Sequence, residues 1–135
     1  MKSSMNKILD IKNLDVSFHS QYGTIHAVKD INISLKPGEI LGIVGESGAG
    51  KSTIGNAIIN LLEPPGKIIN GKIIFNGQDL RYLNDKQMQD IRGNKIGMIF
   101  QDPQTSLNPL MTIGSQLNET INKTTQLFGS AAYIK

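Results

Sequence analysis

Residues 45–53 have the sequence GESGAGKST, in which small and flexible residues precede a lysine and two hydroxyl side chains. Such residues bury little apolar surface, so the segment contributes little to a core. An apolar run, ILGIV, comes before it, and apolar residues at helical spacing come after it: Ile54, Ala57, Ile58, Leu61 and Leu62. We therefore expect a loop between a buried strand at residues 40–44 and a helix that begins at Lys51.

This loop satisfies the P-loop spacing G-x-x-x-x-G-K-[ST] through Gly45, Gly50, Lys51 and Ser52. Glycines let backbone N–H groups approach phosphate oxygens, and a helix N-terminus favours an anion. We assign Lys51 to the β- and γ-phosphates of a nucleotide, Ser52 to Mg²⁺ and Thr53 to the α-phosphate. The expected nucleotide-binding loop comprises Gly45, Glu46, Ser47, Gly48, Ala49, Gly50, Lys51, Ser52 and Thr53.

Composition excludes several other classes of protein. The 135 residues include no cysteine, which excludes a disulfide framework and a thiolate metal site. The net charge is +3, the basic residues are spread along the chain and aromatic residues are few, so we expect no nucleic-acid partner. No apolar run reaches the ~18–20 residues of a membrane span and the start is no secretory signal. We expect a cytoplasmic protein without direct membrane insertion.

Hydrophobic patterning predicts the remaining elements. Residues 9–18 and 27–35 alternate in polarity, which predicts a small antiparallel unit near the N-terminus. In the first of these strands, Leu14, Val16 and Phe18 should share one face. We further expect a strand at 71–80 with an Asn76–Gly77 turn, a helix at 84–92 capped by Asn84, a second buried strand at 95–100 and a helix from residue 112.

Two segments, LKPGEILGIVGESGAGKST (35–53) and IGMIFQDPQTSLNP (96–109), resemble the ATP-binding cassette (ABC) transporter ATPases. The likeness is greatest to the ATPase subunits of oligopeptide, dipeptide and nickel importers, and it runs from about residue 8 to 117. It implies that Gln101 is the Q-loop glutamine, which senses Mg²⁺ and the γ-phosphate and acts with Lys51 in catalysis. It also implies that Tyr22 stacks on adenine, with Phe18 and His19 as rival candidates.

The resemblance implies an α/β fold: an ABC-type P-loop NTPase core with an N-terminal antiparallel β unit (1–39). The core would run over 40–102 to the Q-loop, and 103–135 would begin a helical subdomain. The implied cofactors are ATP and Mg²⁺. The implied partners are a second ATPase subunit, identical or related, and transmembrane permease subunits. Such a protein would lie on the inner face of the cell membrane and couple ATP binding and hydrolysis to transport.

The family's later motifs do not occur in these 135 residues: an L-S-G-G-Q signature, an apolar strand ending in Asp-Glu, and a switch histidine. We therefore expect an incomplete domain, the N-terminal part of a longer polypeptide, which is inactive as an isolated fragment. Two alternatives stay open. One is a nucleotide-binding module without hydrolysis, and the other is a different P-loop NTPase, for example in DNA repair.

Overall fold

The computed structural model describes residues 7–102 and 107–125. The chain divides into two compact units, Met1–Gln89 and Asp90–Lys135. The first holds an antiparallel sheet in the order β2-β1-β3-β4. Its strands are β1 (Leu9–Ser20), β2 (Gly23–Leu35), β3 (Gly66–Phe75) and β4 (Gln78–Asp79). The helices are α1 (Lys51–Ile58), a 3₁₀ turn (Leu80–Tyr82), α2 (Asp85–Ile91) and α3 (Ile113–Thr125).

The predicted antiparallel unit is confirmed as the β1–β2 hairpin, whose register runs from Leu9 opposite Leu35 to Ser20 opposite Gly23. The alternation of buried and exposed residues expected along β1 is wrong at one point. Register shifts around Val16 leave both Val16 and Ser17 fully buried. The Ser17 hydroxyl is satisfied by a 2.9 Å hydrogen bond with His26 Nδ1, as a buried polar group requires.

Strand β3 begins at Gly66, earlier than the predicted start at residue 71, and pairs antiparallel with β1. The strand passes through Gly71 because this glycine takes a φ of +99° beside a register shift in β1, where a side chain would not fit. The predicted Asn76–Gly77 turn is confirmed. Both residues have positive φ, as a two-residue hairpin between β3 and β4 demands.

The two buried strands predicted at 40–44 and 95–100 are wrong. Neither segment forms a ladder within the described residues, and the second contributes only an isolated bridge from Ile96 to Arg92. Ile40 and Val44 are 97% and 98% exposed, and Ile99 is 99% exposed. An apolar run predicts a segment suited to burial, but a strand also needs a hydrogen-bonding partner, which the run does not specify.

Helix α1 begins at Lys51 as predicted but ends at Ile58, short of the expected Leu62. Asn60 adopts a left-handed φ of +53°. The N–H of Leu61 then donates to Asn56 O at 2.8 Å, and the N–H of Asn60 donates to Ala57 O. This pair of bonds is a Schellman motif, which terminates a helix by satisfying its last carbonyls.

The two later helices begin as predicted. Asn84 Oδ1 accepts from the Gln87 N–H, and Gln87 Oε1 accepts from the Asn84 N–H, both at 3.0 Å. This reciprocal capping box fixes the start of α2. Thr112 Oγ1 accepts from the Ser115 N–H at 3.2 Å and caps α3 in the second unit.

Candidate functional site

The loop at residues 45–53 leads into α1 through a left-handed residue. Gly50 has φ +83° and ψ +5° at the N-cap of the helix, and the Ala49 N–H donates to Glu46 O within the loop. In the described chain no side chain caps α1. The N–H groups of its first turn are therefore directed at the loop, where they and the helix dipole favour an anion.

Lys51 extends over this loop. Its Nζ donates to Gly45 O at 2.7 Å and to Glu46 O at 2.6 Å. An ammonium group has three donors, so these two bonds leave one for a phosphate oxygen. The two carbonyls thus hold a positive charge beside the N-terminus of α1, where it is able to attract an anion.

Gly50 also joins the loop to the sheet. It is buried, and a Cβ built on it would lie 2.4 Å from Ala27 O and 3.2 Å from Val28 Cγ2 of β2. The glycine therefore serves two purposes: it permits the left-handed φ and it allows this close approach to the backbone. Sequence reasoning missed Ala27, and no sequence signal marks it, because its contribution is a main-chain carbonyl.

The other loop residues are accessible. Gly45, Glu46, Ser47, Gly48, Ala49 and Ser52 are exposed, and Thr53 is half-buried. A serine hydroxyl is an oxygen ligand of the kind that Mg²⁺ prefers, and the role of Ser52 as a ligand of this ion stays a prediction. The described residues contain no cluster of three or more histidines or carboxylates that would bind a metal ion by themselves.

Tyr22 lies in the turn between β1 and β2, and the residue is 91% exposed. The rival aromatic residues have other contacts. Phe18 packs on the backbone of Gly66, where an added Cβ would lie 2.6 Å from Phe18 Cε1. His19 Nδ1 shares a 2.8 Å hydrogen bond with Thr24 Oγ1. Tyr22 therefore offers the most accessible ring, and its contact with adenine stays a prediction.

Gln101 belongs to the second unit, where it occupies a bend and is exposed. The structure thus brings together the loop, α1 and β2 within the first unit. The role of Gln101 stays a prediction. Part of the segment that follows it, residues 103–106, lies outside the described residues.

Comparisons with known proteins agree with one another. The ABC transporter family model matches residues 28–132. The oligopeptide transport ATP-binding protein OppD of Bacillus subtilis is 46% identical over 129 residues, which cover 95% of this chain and 36% of that protein. The dipeptide transport ATP-binding protein DppD of the same organism is also 46% identical, with 95% and 38% coverage.

A solved structure agrees. The ATP-binding cassette MJ0796, described as a dimer in a post-hydrolysis state bound to ADP and Pi, is 30% identical, with a TM-score of 0.78. The match covers 93% of this chain and 51% of the cassette, so the expected ABC-type fold is confirmed as part of a domain. With a family model that spans most of its length, this chain belongs to the ABC transporter family, as part of an ATP-binding cassette.

Proposed function

We propose that this chain is the nucleotide-binding part of the ATPase subunit of an ABC importer for oligopeptides or dipeptides. The observation that carries the proposal is the anchoring of Lys51 Nζ on Gly45 O and Glu46 O, beside a helix start that no described side chain caps. The names of relatives at 46% identity favour peptides over nickel as the transported class. The chain spans little more than a third of their length, 36% and 38%.

Each site residue has a proposed role. Lys51 binds the β- and γ-phosphate oxygens as a positive charge, and the N–H groups at the start of α1 bind the same phosphates. Ser52 ligates Mg²⁺, which neutralises developing phosphate charge when bound. Tyr22 stacks on the base, a contact that tolerates different bases because each has a π-face. Gln101 contributes an amide that is able to face the metal ion or a water molecule.

The full domain would act with partners. Because the solved relative is a dimer, we propose a second ATPase subunit, and because relatives serve transport, we propose transmembrane permease subunits. None of the described helices is long and apolar enough to cross a membrane. Residues 1–39, 40–102 and 103–135 would serve as the antiparallel unit, the core and the start of the helical subdomain. The protein would then bind the inner membrane face through its partners.

The test is ATP binding and hydrolysis by the full-length polypeptide carrying Lys51→Ala, with the exposed β2 residue Lys29→Ala as the matched control. Charge-assisted hydrogen bonds contribute about 1.5–3 kcal/mol, so loss of the Lys51 ammonium should weaken Mg-ATP binding about 10- to 150-fold. Lys29→Ala should bind like wild type, because Lys29 lies on the sheet outside the loop.

Four outcomes bear on the proposal and its alternatives. Turnover that disappears in Lys51→Ala supports an ATPase. Binding without turnover in the wild type favours a nucleotide-binding module without hydrolysis. Hydrolysis that DNA stimulates would favour another P-loop NTPase, and equal ATP affinity in Lys51→Ala and wild type would refute the proposed site.

A further inference from the structure

Two histidines of the β1–β2 hairpin have the same kind of partner on the opposite strand. His19 Nδ1 lies 2.8 Å from Thr24 Oγ1, and His26 Nδ1 lies 2.9 Å from Ser17 Oγ. In both contacts the two residues stand directly opposite each other in the register. Each strand supplies one histidine and one hydroxyl, so the two contacts run in opposite directions across the hairpin.

The two histidines lie on one face of the hairpin. The register is regular over residues 17–20 of β1, and a single opposed pair, Phe18 and Ile25, separates the two contacts. Because side chains alternate along a strand, the residues on either side of that pair project to the same face. His19 and His26 are therefore diagonal neighbours. Such neighbours are about 7–8 Å apart, a separation that long and aromatic side chains bridge.

The hydroxyl contacts engage Nδ1 of each ring and not Nε2. A neutral imidazole that donates its Nδ1–H to an oxygen carries an unprotonated Nε2, which is a good metal ligand. Metal-binding histidines are commonly oriented in this way, by an oxygen that accepts from the other ring nitrogen. Both His19 and His26 are exposed, so an ion reaches the two rings directly from water.

The chemistry of these ligands selects one class of ion. Imidazole suits Zn²⁺, Cu²⁺ and Ni²⁺, whereas Mg²⁺ and Ca²⁺ prefer oxygen. The described residues contain no group of three or more histidines and carboxylates that would bind a metal ion, so water would complete the coordination of an ion held by two histidines. Lys67 lies opposite Ser17 on β3, on the far side of β1 from His26, and its long exposed side chain keeps the ammonium in water.

We propose that His19 and His26 together bind one divalent transition-metal ion of this class through their Nε2 atoms. The hydroxyls of Thr24 and Ser17 hold the two rings in position. A bound ion would join β1 to β2 close to their turn. The inference stands on the hairpin contacts and does not depend on nucleotide binding.

The first experiment titrates the metal-free full-length polypeptide with Zn²⁺ by calorimetry, without nucleotide and with excess Mg²⁺ present throughout. Thr24→Val keeps both histidines and removes one hydroxyl, so it should weaken Zn²⁺ binding about 10- to 100-fold. His19→Gln and His26→Gln each remove a ligand and should weaken it at least as much. Ser34→Ala removes an exposed hydroxyl near the other end of β2, and this matched control should bind Zn²⁺ like wild type.

The second experiment identifies the ligands with Cu²⁺ as the probe. Electron paramagnetic resonance of the wild type should show an ion with two imidazole nitrogens, which fall to one in either single variant. Urea unfolding without metal checks that each variant is folded. Metal bound elsewhere in the full-length chain contributes equally to all variants, so differences between variants report on this site.

Equal Zn²⁺ affinity in the wild type and in the double variant His19→Gln/His26→Gln would overturn the inference. A loss of affinity in only one of the two single variants would also overturn it, because the proposed site needs both rings. Unchanged affinity in Thr24→Val would refute the positioning role of the hydroxyl.

Discussion

Two glycines of the loop at residues 45–53 share a backbone conformation but differ in their surroundings, and this difference leads to a quantitative prediction. Gly48 has φ +82° and Gly50 has φ +83°. An added Cβ at Gly48 would meet nothing within 4 Å, whereas at Gly50 it would lie 2.4 Å from Ala27 O. Gly50→Ala should therefore destabilise the fold more than Gly48→Ala.

The magnitudes follow from two separate costs. An L-residue in the left-handed region costs about 1–2 kcal/mol, and both variants incur this cost. Extra volume in a packed site costs about 1–3 kcal/mol, and only Gly50→Ala incurs that. We expect losses of about 1–2 kcal/mol for Gly48→Ala and about 2–5 kcal/mol for Gly50→Ala. Because the opposing atom is a main-chain oxygen of Ala27, no side-chain rearrangement relieves the contact.

The assay is urea unfolding followed by far-UV circular dichroism, with the free energy of unfolding extrapolated for wild type and both variants. The unfolded-state effect of Gly→Ala is common to both variants and cancels in their difference. A difference of less than about 0.5 kcal/mol between the two variants would refute the view that the close contact with β2 requires a glycine at position 50. Mg-ATP affinity should also fall more in Gly50→Ala than in Gly48→Ala, because moving residue 50 away from Ala27 would displace the start of α1.

Three further predictions concern the sheet and α2. Gly71→Ala should lower the free energy of unfolding by about 2–5 kcal/mol in urea titrations. The reason is that φ at this position is +99° and the new Cβ would lie 2.5 Å from a β1 carbonyl oxygen. A loss below about 1 kcal/mol would contradict this reasoning. Burial disfavours the charged form of Asp10, but hydrogen bonds from Lys7 and Lys12 outweigh it and hold the pKa below its usual 3.8. The charged carboxylate therefore stabilises the fold above that pH, and this stabilisation is lost as the pH falls through the folded-state pKa. In Asp10→Asn the free energy of unfolding should fall less on acidification than in wild type, by a difference of less than about 1 kcal/mol. An unchanged pH dependence would argue against the pairing. Asn84→Ala removes the cap of α2 and should cost about 0.5–2 kcal/mol in thermal unfolding, whereas an unchanged midpoint would show that the cap contributes nothing.

Local chemistry accounts for the parts of the fold that the sequence predicted well. The start of α1 at Lys51, the Asn76–Gly77 turn and the Asn84 cap each depend on residues within a few positions of one another. Helix caps and turns are satisfied by near neighbours, so their residue types suffice to predict them. The prediction placed the end of α1 too late because the apolar spacing continues to Leu62, past Asn60, whose left-handed φ ends the helix.

The candidate site also combines features that the sequence predicted with features that only the structure shows. The spacing from Gly45 to Ser52 identified the loop, and the structure confirms that this loop leads directly into a helix. Accessibility separates Tyr22 from Phe18, which packs on Gly66, and the sequence alone left these aromatic residues as rivals.

The sequence by itself determined the loop at residues 45–53, the helix starts and the hairpin turn, and it placed the chain among ABC ATPases through motifs with fixed spacing. Only the tertiary structure decided which segments pair. It joined β3 to β1, left residues 40–44 and 95–100 outside any ladder of the described chain, and set Gly50 against Ala27. The physical reason is range: caps, turns and loop dihedrals depend on neighbouring residues, whereas strand pairing and close backbone contacts depend on segments far apart in sequence.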